Sequence, residues 1–543
     1  GSAAAGAIAT LTCLMFTRLL PEATGPMRAF GRLALGTLST GIVYVGALLV
    51  DNQRGHVTVS NCYVTGSISA SGSTVYAGGL VGLSTGYNPG GRLTMRDCYS
   101  TATINVTATT FNGDLGGPAI IVAGKAYAGG VVSRAHDADI ITNCHNSGAV
   151  TATSTGLSIA GGISAMQANS AISNCSNTAA VSATSSYATD DYYASETKYI
   201  SAGGILAFST TDSTLTDIAR CYNTGNITAK LTTTKDKTEI FAGGIGSRTN
   251  KQNLSDCYNT GAVSAGNGNN TAGHAGGIAG RSSAQSNVRR CYNTGTVSGA
   301  NPGGVVGLAL PGSYTRASYW LSSAAPAGVA EGDGETTGLS AEAMKLETSY
   351  PALNFIQTWG FKAGENGDLP VLRFFYPGLE YTPNTPPAPS RDFLAAIEPP
   401  VDGAYPITSV ADLQKIGAAT NGLPLNWDYV LTTNLDLNGI DWQPIGSATA
   451  PFLGSFDGQG YAIHNLAVEG QRDHAGLFGY LGGSTYGTTA TPTIKNLGLE
   501  NVTINVTGTS SASATSAGGL VGENYRTAAT ISNCYVTGTI TAA

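Results

Sequence analysis

The feature that most constrains the fold is a repeat centred on cysteine. Eight of the nine cysteines stand in the same local sequence, Asn/Asp/Arg-Cys-Tyr/His/Ser-x-Thr/Ser-Gly/Ala. These eight are Cys62, Cys98, Cys144, Cys175, Cys221, Cys257, Cys291 and Cys534. The residue three positions before each cysteine is apolar, the residue six positions after it is β-branched, and a small-Gly-Gly-apolar element precedes most of them. The distance between cysteines varies while these positions stay fixed, as expected of stacked repeats with insertions in surface loops.

The segments that follow the cysteines predict strands. Around Val297 and Ile540, apolar residues alternate with Thr, Ser or Asn, which is the period of a strand with one face in water. One such strand cannot bury its apolar face alone, so the repeats are expected to stack. We therefore predict an all-β fold, a right-handed parallel β-solenoid (β-helix) with small caps that contain a helix and aromatic residues. From its length, each repeat is expected to form two coils.

The recurring cysteines are predicted to form a ladder inside the solenoid, where thiols behave as small apolar groups. Disulfides are the alternative, but disulfide scaffolds are short and poor in core, whereas this chain is long. A zinc site is less favoured, because the sequence contains no Cys-x-x-Cys pair.

Composition excludes some classes of function. Charged residues make up 11% of the chain, the formal net charge is -7, and no run of Lys or Arg occurs, so nucleic-acid binding is not expected. The most apolar stretch, Leu33 to Val50, is interrupted by Gly, Ser and Thr, and no membrane span is predicted.

The Gly-Gly-Leu-Val-Gly and Asn-Cys-Tyr-x-Thr-Gly elements resemble the GLUG-motif repeat family. The resemblance covers most of residues 40–372 and 401–543. It implies a large secreted or cell-surface protein of bacteria, since the family includes adhesins and the non-catalytic part of IgA-specific metallopeptidases. It therefore implies an extracellular location, at the bacterial cell surface or in secreted form.

The chain divides into five predicted parts: an N-terminal segment of undefined structure (1–40), a first solenoid (41–308), its C-terminal cap (309–375), a Pro-rich linker (376–400) and a second solenoid with its opening cap (401–543). The first array has an ending without an opening, and the second has an opening without an ending. Either the sequence is a segment of a longer tandem array, or uncapped ends of different molecules stack head to tail into a filament.

No enzyme is predicted. The six histidines are dispersed, and the sequence lacks His-Glu-x-x-His and a Gly-x-Ser-x-Gly nucleophile elbow with partners. It also lacks a phosphate loop ending in Gly-Lys-Ser/Thr and a dinucleotide-binding fingerprint in a strand-turn-helix context. No cofactor is expected. Calcium at Asp457-Gly458-Gln459-Gly460 is an alternative, although a tight turn explains the same residues.

The function that we expect is that of a non-enzymatic bacterial surface protein, a rigid solenoid stalk for adhesion to a host or bacterial surface protein or glycan. The alternatives are a filament subunit and, third, a carbohydrate-active β-helix enzyme. Tyrosines on exposed loops combine contact area with a polar tip, which suits recognition. The candidate binding residues lie in one long insertion: Tyr187, Asp190, Asp191, Tyr192, Tyr193 and Tyr199.

Overall fold

The computed structural model describes residues 42–376 and 404–543, except 54–55, 86–91, 114–119, 137–138, 187–198, 211–214, 234–237, 268–271, 284, 356–357, 420–421, 483–490, 510–514 and 526. Nearly all regular structure in these residues is strand. One sheet of 20 strands (sheet 1) and one of 31 strands (sheet 2) contain parallel pairs throughout, and two small antiparallel pairs lie outside them. The predicted all-β parallel β-solenoid is confirmed.

The strands of the first repeat segment are β1 (Ile42–Gly46), β2 (Leu49–Gln53), β3 (His56–Ser60), β4 (Tyr63–Gly72), β5 (Thr74–Gly78), β6 (Val81–Thr85), β7 (Arg92–Ser100), β8 (Thr103–Ala108), β9 (Phe111–Gly113), β10 (Ile120–Val122), β11 (Lys125–Gly129), β12 (Val132–His136), β13 (Ile140–Asn146), β14 (Val150–Ser154), β15 (Leu157–Gly161), β16 (Ser164–Ala168), β17 (Ala171–Ser173), β18 (Ser176–Asn177), β19 (Val181–Ser185), β20 (Tyr199–Gly203), β21 (Leu206–Ser209), β22 (Thr216–Ala219), β23 (Tyr222–Asn223), β24 (Ile227–Leu231), β25 (Glu239–Gly243), β26 (Gly246–Thr249), β27 (Gln252–Ser255), β28 (Tyr258–Asn259), β29 (Val263–Gly266), β30 (His274–Gly276), β31 (Ala279–Ser282), β32 (Asn287–Arg289), β33 (Tyr292–Asn293), β34 (Val297–Gly299), β35 (Asn301–Ala309), β36 (Tyr314–Arg316), β37 (Ser318–Leu321), β38 (Ala327–Glu331), β39 (Thr336–Leu339), β40 (Trp359–Phe361) and β41 (Pro370–Leu372).

The strands of the second segment are β42 (Tyr405–Ile407), β43 (Asp428–Leu431), β44 (Leu435–Asp436), β45 (Ser455–Asp457), β46 (Ala462–His464), β47 (Ala467–Gln471), β48 (His474–Ala475), β49 (Phe478–Gly482), β50 (Thr493–Lys495), β51 (Gly498–Thr507), β52 (Thr515–Ala517), β53 (Val521–Tyr525), β54 (Ala529–Ser532) and β55 (Tyr535–Ala542). The helices are α1 (Val410–Lys415) and four 3-10 turns, Ala343–Lys345, Glu347–Ser349, Asn366–Asp368 and Arg373–Phe375.

Each repeat forms one coil, so the prediction of two coils per repeat is wrong. In one repeat, β5 and β6 belong to sheet 1 and β7 and β8 to sheet 2, and the next repeat pairs directly on it, with Cys144 opposite Cys98. The Gly-Gly element is the reason, because it folds the chain sharply between β5 and β6. A Cβ placed on Gly78 would lie 1.9 Å from the carbonyl oxygen of Val81, so only glycine fits this corner.

The two repeat segments stack on each other in the reverse of their order in the chain. The last coil of the second segment pairs in parallel with the first coil of the first segment: β52 with β1, β53 with β2, β54 with β3 and β55 with β4. We call this junction the seam. The stack therefore runs from residue 404 to the C-terminal coil, crosses the seam, and continues from residue 42 to the cap.

The eight cysteines of the repeat are buried and free. In successive coils the backbone N–H of one cysteine donates to the sulfur of the next, at 3.4 Å for Cys144 to Cys175, Cys175 to Cys221 and Cys221 to Cys257. Burial raises the pKa of the Cys534 thiol to about 12. A thiol in this environment is protonated at neutral pH and is a poor nucleophile.

The residue before each repeat cysteine lies in the left-handed region, with φ between 49° and 56°. These residues are Asn61, Asp97, Asn143, Asn174, Arg220, Asp256, Arg290 and Asn533. Asn and Asp tolerate this conformation better than other residues with side chains, which explains their frequency at the position.

The C-terminal cap folds back along the outside of the solenoid. Its aromatic residues Tyr350 and Trp359 pack on tyrosines of β28, β33 and β37, and Trp359 is fully buried. Further back, Phe375 contacts Tyr222 with ring centroids 4.8 Å apart and His145 at 5.8 Å. The cap thus carries the chain from the last coil back to the level of β23 and β13.

Candidate functional site

A stripe of side chains that pack apart from the main core runs along sheet 1, and we call it the aromatic groove. Most coils contribute one residue two positions before the Gly-Gly pair and one residue four positions after it. In stacking order, the first wall contains His474, Ser516, Tyr44, Tyr76, Tyr127, Ile159, Ser201, Phe241, His274 and Asn301. The second wall contains Tyr480, Glu523, Asp51, Leu83, Arg134, Met166, Phe208, Arg248, Arg281, Leu308 and Glu331.

The two walls meet because the glycine corner brings their strands together. Ser133 Oγ donates to the carbonyl oxygen of Tyr127 at 3.0 Å, and Ser247 Oγ donates to that of Phe241 at 2.8 Å. In both coils a serine on the second-wall strand is thus hydrogen-bonded to the backbone of the first-wall strand. Small residues such as Ala165 and Ala207 form the floor of the groove.

Aromatic rings occupy the middle of the groove. Tyr76 and Tyr127 stack with centroids 4.4 Å apart, and Tyr44 follows Tyr76 at 5.5 Å. Tyr127 packs in one apolar cluster with Ile159, Ala165 and Ala207, against which Phe208 lies partly buried. Each ring is thus held by its neighbours in adjacent coils, which makes the surface rigid.

Arginines lie over the aromatic rings further along the groove. The guanidinium carbon of Arg248 lies 4.4 Å from the ring centroid of Tyr199 and 4.6 Å from that of Phe208, and that of Arg281 lies 5.6 Å from the centroid of Phe241. Arg281 also pairs with Glu239 at 3.2 Å. The Nε–H groups of Arg134, Arg248 and Arg281 are buried and have no acceptor in the part of the chain that the structure describes. Any hydrogen bond to a ligand would therefore come from the terminal guanidinium N–H groups of these arginines.

The groove is acidic at the seam. Glu523 faces Asp51 in register across the seam, and its carboxylate lies 3.3 Å from Nδ1 of His474. Burial, with the charge of Asp51, raises the pKa of Glu523 to about 8, and burial lowers the pKa of His474. At neutral pH a neutral carboxyl therefore faces a neutral imidazole, rather than a charged pair.

Of the six predicted binding residues, five lie outside the described residues: Tyr187, Asp190, Asp191, Tyr192 and Tyr193. The sixth, Tyr199, opens β20 and lies in the aromatic groove, where its ring contacts Phe208 at 5.5 Å and its hydroxyl accepts from Arg248 at 3.4 Å. The long insertion therefore joins the solenoid at this groove.

The alternative calcium position at Asp457 is occupied by donors. Its carboxylate accepts from Asn496 Nδ2 at 2.9 Å and from the backbone and side chain of Gln459, and the ammonium of Lys495 lies 3.4 Å away. Donors and a cation at these oxygens do not suit a calcium ion. Within the described residues, no cluster of three or more His, Cys, Asp or Glu side chains could hold a metal ion. No helix among them is long and apolar enough to cross a membrane.

The sequence analysis missed the groove although its signal was present. In several repeats the residue two positions before the Gly-Gly pair is Tyr or Phe, and the residue seven positions later is Arg, Met or Phe. It also missed an asparagine two positions after the cysteine in five consecutive repeats. In both cases the recurring residue stands next to the motif that defined the repeat.

Two stretches of the chain match the GLUG motif, residues 271–298 and 513–541. The first includes His274 and Arg281 of the groove, and the second includes most of the last coil at the seam. Over 115 residues the chain is 34% identical to halomucin of Haloquadratum walsbyi, a match that covers 19% of this chain and 1% of halomucin. The chain therefore spans about one hundredth of that protein.

Among solved structures, a candidate immunoglobulin A1 protease from Bacteroides ovatus is 18% identical, with a TM-score of 0.29 and a match covering 57% of this chain and 75% of that one. So low a TM-score supports no inference about activity. The two motif matches, by contrast, confirm the resemblance seen in the sequence: the chain carries GLUG-motif repeats.

Proposed function

We propose that this chain is part of an extracellular surface protein, in which a rigid solenoid holds the aromatic groove for adhesion to a glycan. The observation that carries the proposal is that stacked rings, Tyr76 on Tyr127, and arginines that lie over rings, Arg248 and Arg281, occur along one face of sheet 1. The similarity to halomucin and the GLUG motifs support the extracellular location. We further propose that the surface is that of a bacterium, as the family resemblance implies.

The spacing of the groove suits an extended ligand. Adjacent coils of a parallel sheet lie about 4.8 Å apart, so the groove presents equivalent side chains at regular steps. The partly exposed rings of Tyr44, Tyr76 and Phe208 offer contact area to a ligand, whereas Tyr127 and Phe241 are buried and support the surface from below. Guanidinium groups donate several hydrogen bonds in a fixed geometry. Arg248 and Arg281 lie in consecutive coils and can contact hydroxyl or carboxylate oxygens of the same chain. A polysaccharide that carries acidic groups therefore fits better than a compact ligand.

We also propose that the chain has no catalytic activity. A carbohydrate-active enzyme needs a pair of carboxyl groups that flank one bond of the substrate. The carboxyl pair of the aromatic groove, Asp51 and Glu523, consists of register partners in adjacent coils that are 1% and 8% exposed. Two buried groups in direct register leave no room for a substrate bond between them. Two other acids are held in local structure: Asp139 accepts the N–H groups of Leu93 at 2.6 Å and of His136 at 2.9 Å, and Asp436 accepts the Nδ2 of Asn465.

Binding can be tested with Arg248→Gln, which removes the charge and the cation–π contact but keeps a side chain of similar length. We expect binding to an array of acidic polysaccharides to weaken about tenfold, because one hydrogen bond between the guanidinium and a ligand carboxylate, worth about 1.5 kcal/mol, is lost. Arg316→Gln is the matched control, since Arg316 lies 5.3 Å from the ring centroid of Tyr314, away from the groove. Equal affinity of both variants and the unchanged protein would contradict the proposal.

A further inference from the structure

We propose that the seam is an exchangeable joint, at which residues 404–543 of one copy of this chain stack on residues 42–376 of a second copy and assemble the protein head to tail. This inference does not depend on the proposed glycan binding, because the surface is the seam and its binding partner is a second copy of the same chain.

The seam has the same construction as the other coil interfaces. Leu520 N–H donates to Ala47 at 3.1 Å and Val521 N–H donates to Leu48 at 3.0 Å. Tyr63 and Tyr535 stack with ring centroids 5.1 Å apart, and the same column continues to Tyr99 at 5.2 Å. Because the register is that of the repeat, the last coil of any copy is complementary to the first coil of any other.

The seam differs from the other interfaces in how the backbone crosses it. Within each repeat segment the chain itself continues from one coil to the next, so neighbouring coils stay together. The two sides of the seam are connected only through the 27 residues between Tyr376 and Ala404. The coils at the seam can therefore separate and re-form with another copy while each segment stays folded.

The length of that connection permits both closure within one copy and pairing between copies. The fold-back cap leaves Phe375 beside Tyr222 of β23, and β42 lies nine steps away along sheet 2. At about 4.8 Å per step the span is about 43 Å. A Pro-rich sequence of 27 residues can reach about 84 Å at about 3.1 Å per residue, so its length suffices for closure within one copy. Pairing between copies competes with this closure and is therefore expected to increase with protein concentration.

The seam also contains the acidic pair of the groove. Asp51 and Glu523 are both buried and face each other in register across it. The other titratable groups facing the pair are His474, Tyr480, Tyr44 and Arg134. Since Asp51 belongs to one side and Glu523 to the other, ionisation of both carboxyl groups would make the two sides repel each other. Exchange is therefore expected to be faster at alkaline pH.

The test uses two variants that each carry one added cysteine at the seam, because a bond between the two added cysteines can form only between copies. Ser67 and Thr539 are register partners across the seam, at a spacing that a disulfide can bridge. One copy carries Ser67→Cys and the other carries Thr539→Cys, and both carry Cys13→Ser. The mixture is incubated at pH 6 or pH 9, then oxidised, and the products are separated by non-reducing electrophoresis. We expect linked dimers whose yield rises with concentration and is higher at pH 9.

Two controls make the result decisive. The double variant Ser67→Cys, Thr539→Cys should cross-link within one copy at low concentration. Mixing Ser67→Cys with Thr103→Cys should give no linked dimers, since Thr103 is the register partner of Ser67 inside the same segment. A mixture across the seam that links no better than this control would overturn the proposal, as would a double variant that does not cross-link at all.

Discussion

At the scale of single residues, a ladder of buried asparagines links five consecutive coils. Each side-chain amide donates to the amide oxygen of the next coil at 2.7 or 2.8 Å, from Asn146 through Asn177, Asn223 and Asn259 to Asn293. Each amide also donates to a carbonyl oxygen of its own coil, as Asn223 does to Gly225 at 2.7 Å. At the end of the ladder, Trp320 takes the register position of the asparagine and covers Asn293.

Replacing one amide inside this ladder should destabilise the protein. Asn223→Val keeps the bulk, and valine stands at the same position in the repeats of Cys62 and Cys534. In the ladder, however, it leaves the amides of Asn177 and Asn259 with unmet hydrogen bonds, at a cost of about 2–4 kcal/mol. The measurement is the thermal unfolding midpoint. Asn105→Val, on an exposed strand position, is the control, and an equal effect of the two changes would show that the ladder adds no stability.

At the scale of elements, the cap covers the side of the solenoid as well as its end. Phe375 is 8% exposed and lies against Tyr222 and His145, whereas the adjacent Phe374 is 44% exposed. Burial lowers the pKa of His145 to about 4. The pKa of His145, which lies in β13, therefore reports whether the cap is packed against the side of the solenoid.

Phe375→Ala should loosen the cap without unfolding the solenoid. We expect the pKa of His145 to rise towards its ordinary value of 6.5, because the ring that shields it from water is removed. An NMR titration of the His145 side chain measures the shift. Phe374→Ala is the matched control and should leave the titration unchanged. A His145 that still titrates near pH 4 after Phe375→Ala would show that other groups keep it buried.

Sequence reasoning recovered the elements that depend on local pattern. The alternating strands, the glycine corners and the helix that starts at Ser409, whose side chain accepts the N–H of Asp412, all follow from residues close in sequence. It failed where the outcome depends on stacking. One coil per repeat, the aromatic groove and the fold-back of Phe375 result from contacts between residues of different repeats, which no local pattern specifies.

At the scale of the whole molecule, the reversed order of the two segments makes one interface responsible for the continuity of the stack. Each segment covers the strand edges of the other at the seam. Unpaired edges of a parallel sheet are templates for association. The stability of the seam therefore governs whether those edges stay covered.

Glu523→Gln should remove a pH dependence that belongs to the seam. The folded protein holds the proton of Glu523 up to about pH 8, whereas an unfolded chain releases it near pH 4.5. Between these values the folded state binds more protons, so its stability falls as pH rises, by up to about 1.4 kcal/mol per pH unit, and levels off above pH 8. Glutamine keeps the neutral form at every pH, so the thermal midpoint of the variant should change less between pH 5 and pH 9. Glu469→Gln, at an exposed position of β47, controls for the loss of one charge. If Glu523→Gln and the unchanged protein lose stability equally over this range, the carboxyl pair does not set the strength of the seam.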